Sequence, residues 1–232
     1  MLEIPEGTCG DWRVVHQAIS EVEADRINWH NYQKNLQDGD VGLMRFVQGG
    51  VYTSLCCGDV PFMSDHHFEV RESARFAHIA TGDVLVSGLG LGVVIGQLGR
   101  NSQVRSVTVL ENSPEVIELV GPHVGGHVIK ADAFTWEPPE GVRFDWAWHD
   151  IWPDISPKNA IEMVKLYSHH RPWCDKQMFW SWPQIIMHVH RDIEQAMRSG
   201  NHTRHGLLVS LLEGLEVWTP KLWPDGRDYL EV

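Results

Sequence analysis

The nine residues Val84-Leu-Val-Ser-Gly-Leu-Gly-Leu-Gly92 constrain this chain more than any other stretch. The apolar run from Asp83 to Leu89 is short and nearly continuous, as a strand buried on both faces requires. Gly88, Gly90 and Gly92 then alternate, and Val93 to Leu98 starts a helix. A strand feeding a helix through so tight a turn opens a βαβ unit. Its next strand lies parallel to the first, after a right-handed crossover.

The chain continues this alternation. Glu69 to Ile79 reads as a helix closed by Thr81-Gly82-Asp83, and Val104 to Leu110 as a second strand. Ser113 is placed as an N-cap, with Pro114 at the first helical position and Glu115 in the first turn. That helix runs through Val120 and stops at Gly121-Pro122. His127 to Lys130, Phe144 to Trp152 and Gln177 to Trp182 read as strands. Pro157 to Tyr167 and Pro183 to Arg198 read as helices. Gly206 to Leu212 and Leu215 to Pro220 are weaker extended segments. The expectation is an α/β fold over residues 68–232: an open, doubly wound, mostly parallel sheet.

Residues 1–67 read differently. Val14, Val15, Ala18, Ile19 and Val22 recur at helical spacing, so Asp11 to Gln37 is expected to be a helix ended by Asp38-Gly-Asp40. Gly42 to Gln48, Val51 to Cys57 and Val60 to Met63 are extended candidates separated by Gly49-Gly50 and Gly58-Asp59. Residues 40–64 therefore read as a small antiparallel unit, which must pack on the larger α/β part of the chain to be stable.

Composition removes several function classes. Nineteen Lys and Arg against 31 Asp and Glu leave a formal charge of −12. Nothing basic is concentrated enough to replace counterions along a phosphate backbone, which disfavours nucleic acid. The four cysteines form no CxxC pair, and Cys56 and Cys57 would point to opposite faces of a strand. The pairs His66-His67 and His169-His170, and His188 with His190, lack metal-ligand spacing, so no metal is expected. No basic segment followed by an apolar run opens the chain, and no apolar stretch reaches about 18 residues. A cytoplasmic protein with reduced thiols and no membrane span is expected.

The candidate chemistry gathers at the strand ends. Glycines let a ligand approach the backbone, and the helix N-terminus offers free N–H groups. Glu111 ends the second strand, 23 residues after Gly88. A carboxylate there can accept both hydroxyls of a ribose. The spacing is GxGxG rather than GxGxxG, with Val93 after Gly92 and no phosphate-loop lysine, which counts against a dinucleotide. Asp132 either accepts from an adenine amino group or caps a turn, with Ala133 and Phe134 beside the ring. Asp150 either holds and deprotonates an amine or is a structural carboxylate. Trp152 either stacks on a sulfonium or belongs to the core. Asp65-His-His-Phe-Glu69 is polar and precedes the main domain, where Asp65 and Glu69 can help close the site. There is no nucleophile elbow and no catalytic-cysteine motif.

Together these segments resemble the class I S-adenosylmethionine-dependent methyltransferase superfamily, and more closely its spermidine synthase-like branch. The resemblance covers residues 60–155. It implies a Rossmann-like fold, with Glu111 in VLENSPEV as the ribose acid, Asp132 near adenine and Asp150 in the active site. Ser113 stands where the family has a second acid, Phe68 where it has histidine, and Ile-Trp-Pro-Asp replaces its loop after Asp150. The Asp/Asn-Pro-Pro-aromatic signature of amino-methyltransferases is absent, which disfavours DNA bases. The implied function is a transferase using S-adenosylmethionine, with methyl transfer to a small molecule or protein side chain. The alternatives are a polyamine aminopropyltransferase using decarboxylated S-adenosylmethionine, and an inactive cofactor-binding or structural protein of the same fold. An NAD-linked oxidoreductase ranks third. The implied partner is a small molecule, an amine among the candidates, and the family often forms homodimers.

Overall fold

The computed structural model describes residues 3–38, 46–154, 156–203 and 206. The elements run β1 (Gly7–Cys9), β2 (Trp12–Ile19), α1 (Glu21–Asp38), β3 (Gly50–Cys57), β4 (Val60–Ser64), α2 (His67–Ile79), β5 (Gly82–Ser87), α3 (Val93–Leu98) and β6 (Val104–Glu111). They continue with α4 (Pro114–Val120), a 3₁₀ turn, β7 (His127–Lys130), β8 (Phe144–His149), α5 (Pro157–His170), β9 (Cys174–Phe179) and α6 (Trp182–Arg198).

The doubly wound sheet is present. Five strands lie in the order β7-β6-β5-β8-β9, all parallel. Side chains alternate along each strand and feed two separate cores. Val84, Val86, Trp146 and Trp148 face a core with Phe76 of α2, Ile95 of α3 and Val116 of α4. Leu85 and Ala147 face the other, with Met163 and Leu166 of α5 and Ile185 of α6. Burial on both faces explains why β5 reads as an unbroken apolar run. The chain order reverses at β5, between β6 and β8, and ligands of open α/β sheets bind at such a switch point. Ser113 caps α4 as expected, its Oγ accepting the Val116 N–H at 3.2 Å. Such a cap contributes about 1 kcal/mol.

The N-terminal segment departs from expectation. Trp12–Ile19 is a strand, not the first half of a helix, and pairs antiparallel with β3 from Trp12 opposite Cys57 to Ile19 opposite Gly50. The antiparallel sheet, in the order β1-β2-β3-β4, spans residues 7–64 rather than 40–64. β1 pairs with only the first three residues of β2, and the strand that pairs along all of it lies more than 30 residues away, out of reach of a local periodicity. Val14 is buried with Ile4 and Leu55, and this small sheet packs on the same core as α4. Helix α1 starts only at Glu21, after Ser20. Gly58-Asp59 does turn β3 into β4. Residues 42–45 of the expected strand Gly42 to Gln48 lie outside the described residues, and 46–48 are not in a strand. The Phe144 strand ends at His149, and the last strand among the described residues is Cys174–Phe179, three residues earlier than expected. The extended segments expected after Gly206 fall outside the described residues. Among these no helix is long and apolar enough to cross a membrane.

Candidate functional site

A cavity of about 1000 Å³ opens over the carboxyl ends of β5, β6 and β8 and is roofed by β4. Its floor is the glycine turn. Gly88 has φ +95°, and a Cβ there would overlap the carbonyl oxygen of Asp150, because β5 and β8 stay paired to their ends. Gly90 has φ +50°, and its Cβ position is filled by the thioether of Met63 from β4. The Leu91 N–H donates to the Met63 sulfur at 3.3 Å. Gly92, also at positive φ, is the N-cap of α3 and does not line the cavity.

Glu111 sits beside this turn. Its Oε2 accepts the Leu89 N–H at 2.9 Å and its Oε1 accepts the Ser113 N–H at 2.8 Å. The carboxylate thus joins the glycine turn to the start of α4. Each oxygen keeps a further lone pair, and the residue lines the cavity. Asp132 is exposed at the rim, its Oδ1 accepting the Phe134 N–H at 2.9 Å in a local turn. The turn-capping reading therefore holds for one oxygen. Ala133 is buried in the wall beside it.

The third side comes from β8 and α2. Trp148 lies in β8 and Asp150 just past its end, and both line the cavity. Glu69, Glu72 and Phe76 are three, then four, apart on one face of α2. Phe76 stacks on Trp148 at 5.0 Å, which sets the glutamates against the end of β8. Burial, then Glu69 and Glu72, push the Asp150 carboxyl up to about 8. The Trp148 indole N–H opposes this shift. It is buried and faces the carboxyl without making a hydrogen bond of acceptable geometry. Glu72 also accepts from Gln184 at 3.1 Å, and Glu69 from the Ser64 N–H at 3.1 Å.

Besides Gly92, one expected site residue is placed elsewhere, and another serves two roles. Asp65 does not line the large cavity. It is buried, its Oδ1 accepting the Thr53 N–H at 2.8 Å, and it faces a separate pocket of about 130 Å³. Trp152 is core as well as wall: it is buried, and its indole N–H donates to Glu162 at 2.7 Å. The structure brings Gly88, Gly90, Glu111, Asp132, Ala133, Asp150, Trp152 and Glu69 to one cavity. Trp148, Glu72 and Met63 are not evident from sequence as site residues. Glu72 could have been found from its three-residue spacing to Glu69.

A histidine network supports this floor from below. The Gln177 side-chain N–H donates to the Tyr167 carbonyl, so its oxygen faces His149. His149 Nε2 therefore donates to Gln177 at 3.0 Å, and Nδ1 accepts the Ser87 hydroxyl at 2.9 Å. His170 Nε2 donates to the Ala133 carbonyl at 2.8 Å, and Nδ1 accepts the Trp173 N–H at 3.0 Å. Burial lowers both histidines, His170 to about 4 and His149 well below its usual value. They are neutral spacers between β5, β8, β9 and the Ala133 wall.

Six carboxylates line the cavity, from Glu69, Glu111, Glu115, Asp132, Asp150 and Asp154, and no Lys or Arg among the described residues does. Such a surface attracts cations. Among the described residues no group of three or more His, Cys, Asp or Glu is arranged to hold a metal ion.

No family model matches the chain, and no curated protein matches it. Solved structures do. The 23S rRNA methyltransferase ErmE is 24% identical over 49% of this chain and 45% of its own, with a TM-score of 0.36. CalS10, an amino pentose methyltransferase from Micromonospora echinaspora, is 19% identical over 50% of each chain, with a TM-score of 0.38. DesVI of Streptomyces venezuelae is 11% identical over 49% of this chain and 50% of its own, with a TM-score of 0.40. The match spans about half the length of each of these proteins.

Proposed function

We propose that this chain is a transferase of the class I S-adenosylmethionine-dependent superfamily, moving a methyl group to the nitrogen of a small amine. The observation that carries the reading is the Glu111 carboxylate, hydrogen-bonded to the glycine turn and facing the cavity with lone pairs to spare. The residues present fit the donor. Gly88 and Gly90 present bare backbone to the cavity, Glu111 can accept ribose hydroxyls, and Asp132 keeps one oxygen for an adenine amino group. Bound S-adenosylmethionine supplies the electrophilic methyl on a sulfonium. The chain's own residues align and exclude water. The acid-lined wall suits both the sulfonium and a cationic acceptor, and Asp150, which lines it, supplies a carboxyl able to take up an amine proton.

The absence of Lys and Arg from the described lining favours a second reading, because nothing basic there pairs with the donor's carboxylate. A decarboxylated donor and aminopropyl transfer suit such a cavity. The two are separated by incubating the protein with methyl-labelled S-adenosylmethionine, or with the decarboxylated donor, and a set of primary and secondary amines. Label in the amine supports methyl transfer. Release of methylthioadenosine from the decarboxylated donor supports aminopropyl transfer. Bound donor with neither product would mean that the fold keeps the ligand without the reaction.

A further inference from the structure

We infer that the acceptor is a monoamine with an aromatic body, its ring held by Trp12 and Phe62 under the antiparallel sheet and its ammonium by Glu69. This rests on the amine-transfer reading above and names the class of amine.

Leu55 and Cys56 are adjacent in β3, yet they pair with Met63 and Pro61 of β4, so Phe62 is the extra residue of a bulge. Alternation along a regular strand would send Phe62 and Met63 to opposite faces. A bulge re-aims a side chain, and here both residues line the cavity. Met63 closes on the glycine turn, its sulfur accepting the Leu91 N–H at 3.3 Å. Phe62 instead meets Trp12 of β2, the ring centroids 5.0 Å apart and the planes at 69°, an edge-to-face pair. Phe62 keeps 37% of its surface exposed, so the pair has apolar area left to cover. Leu55 and Pro61 line the cavity with them. A charge lies close along the same strand: the Ser64 N–H, two residues on from Phe62, donates to Glu69 Oε2 at 3.1 Å. Two strand residues span about 7 Å, which an amine two carbons from its ring can bridge. A simple diamine brings no apolar end to cover the rings. With a volume of about 1000 Å³, the cavity is at the top of the range for small-molecule sites and has room for such an amine beside the donor.

Calorimetry on the full chain, saturated with S-adenosylhomocysteine, compares 2-phenylethylamine with 1,4-diaminobutane. The ring amine is expected to bind about tenfold tighter than the diamine, and Phe62→Ala to remove about that advantage. Phe62→Leu should restore part of it. Trp12→Ala should act in the same direction as Phe62→Ala; Phe62 stands on an edge strand and is partly exposed, which covers the case in which the Trp12 variant does not fold. Glu69→Gln should weaken both amines. The affinity for the nucleoside itself should stay within about twofold in Phe62→Ala. Equal or tighter binding of the diamine overturns the proposal. So does a Phe62→Ala variant that loses nucleoside instead of amine, because the rings then cover the donor. If the nucleoside does not bind, the functional reading fails, while the same amine titrations on ligand-free protein still decide what the rings hold. No saturable amine binding by the folded protein, with or without the nucleoside, overturns the inference.

Discussion

Replacing Glu111 with Gln separates what this residue does for the fold from what it does for a ligand. The carboxylate holds two backbone N–H groups, Leu89 at 2.9 Å and Ser113 at 2.8 Å. A glutamine keeps one of them through its oxygen and turns its own NH₂ toward the other. One charge-assisted bond is lost and a donor faces a donor. Bonds to charged groups contribute roughly 1.5–3 kcal/mol, and the partial exposure of Glu111 puts the loss near the lower end, about 1.5–2 kcal/mol. For a chain of this size each kcal/mol lowers Tm by roughly 2–4 °C, so Glu111→Gln is expected to melt about 3–8 °C below the parent. Glu111→Ala removes both acceptors and is expected to cost about twice as much. The assay is thermal unfolding followed by circular dichroism on ligand-free protein. An unchanged Tm in Glu111→Gln would refute the reasoning, because the glycine turn would then not be anchored through this carboxylate. Binding lost in Glu111→Gln beyond this destabilisation belongs to the ligand contact itself.

Four further outcomes are expected. Gly88→Ala should fail to fold or lose more than about 3 kcal/mol, because its Cβ meets the backbone of Asp150; Gly90→Ala meets only the flexible end of Met63 and should lose about 1–2 kcal/mol in urea unfolding. Pairing Gly90→Ala with Met63→Ala should relieve the clash but not the positive-φ strain. Asp150→Asn should raise Tm by a few degrees at about pH 9 and leave it unchanged at about pH 4. The folded carboxyl, pushed up to about 8 from 3.8, binds a proton that the unfolded chain has released, so parent stability falls as pH rises between those values. Acidification from about pH 6.5 toward pH 4 should destabilise the parent, since the unfolded chain takes up protons that His149 and His170 refuse while folded. Differential calorimetry across that range should show this slope reduced in His170→Asn.

The parts of the fold that were legible in sequence are those set by neighbouring residues. The run Val84 to Gly92 determines β5, its turn and α3 within a few positions. Ser113-Pro114-Glu115 marks the start of α4 by capping chemistry alone. Glu111 and Asp150 were legible as site candidates because topology puts strand ends at the crevice. What sequence hid was non-local. Residues 12–19 match a helical repeat and a strand almost equally, and pairing decides between them, with β1 over the first three residues and with β3 over the whole length. Asp65 reads as an available acid, yet the Thr53 N–H engages it. Trp148 reads as one more aromatic of an apolar strand. That its N–H remains unpaired beside Asp150 stems from the packing of α2 on β8, which no local pattern contains.

Titration of S-adenosylmethionine into ligand-free protein by calorimetry, with NAD as the comparison and Glu111→Gln alongside, tests the central claim most directly. Saturable binding of S-adenosylmethionine is predicted, weakened about tenfold or more in the variant, with no heat from NAD. A tenfold loss corresponds to about 1.4 kcal/mol, within the range of one charge-assisted hydrogen bond. Absence of binding by the folded parent would contradict the account.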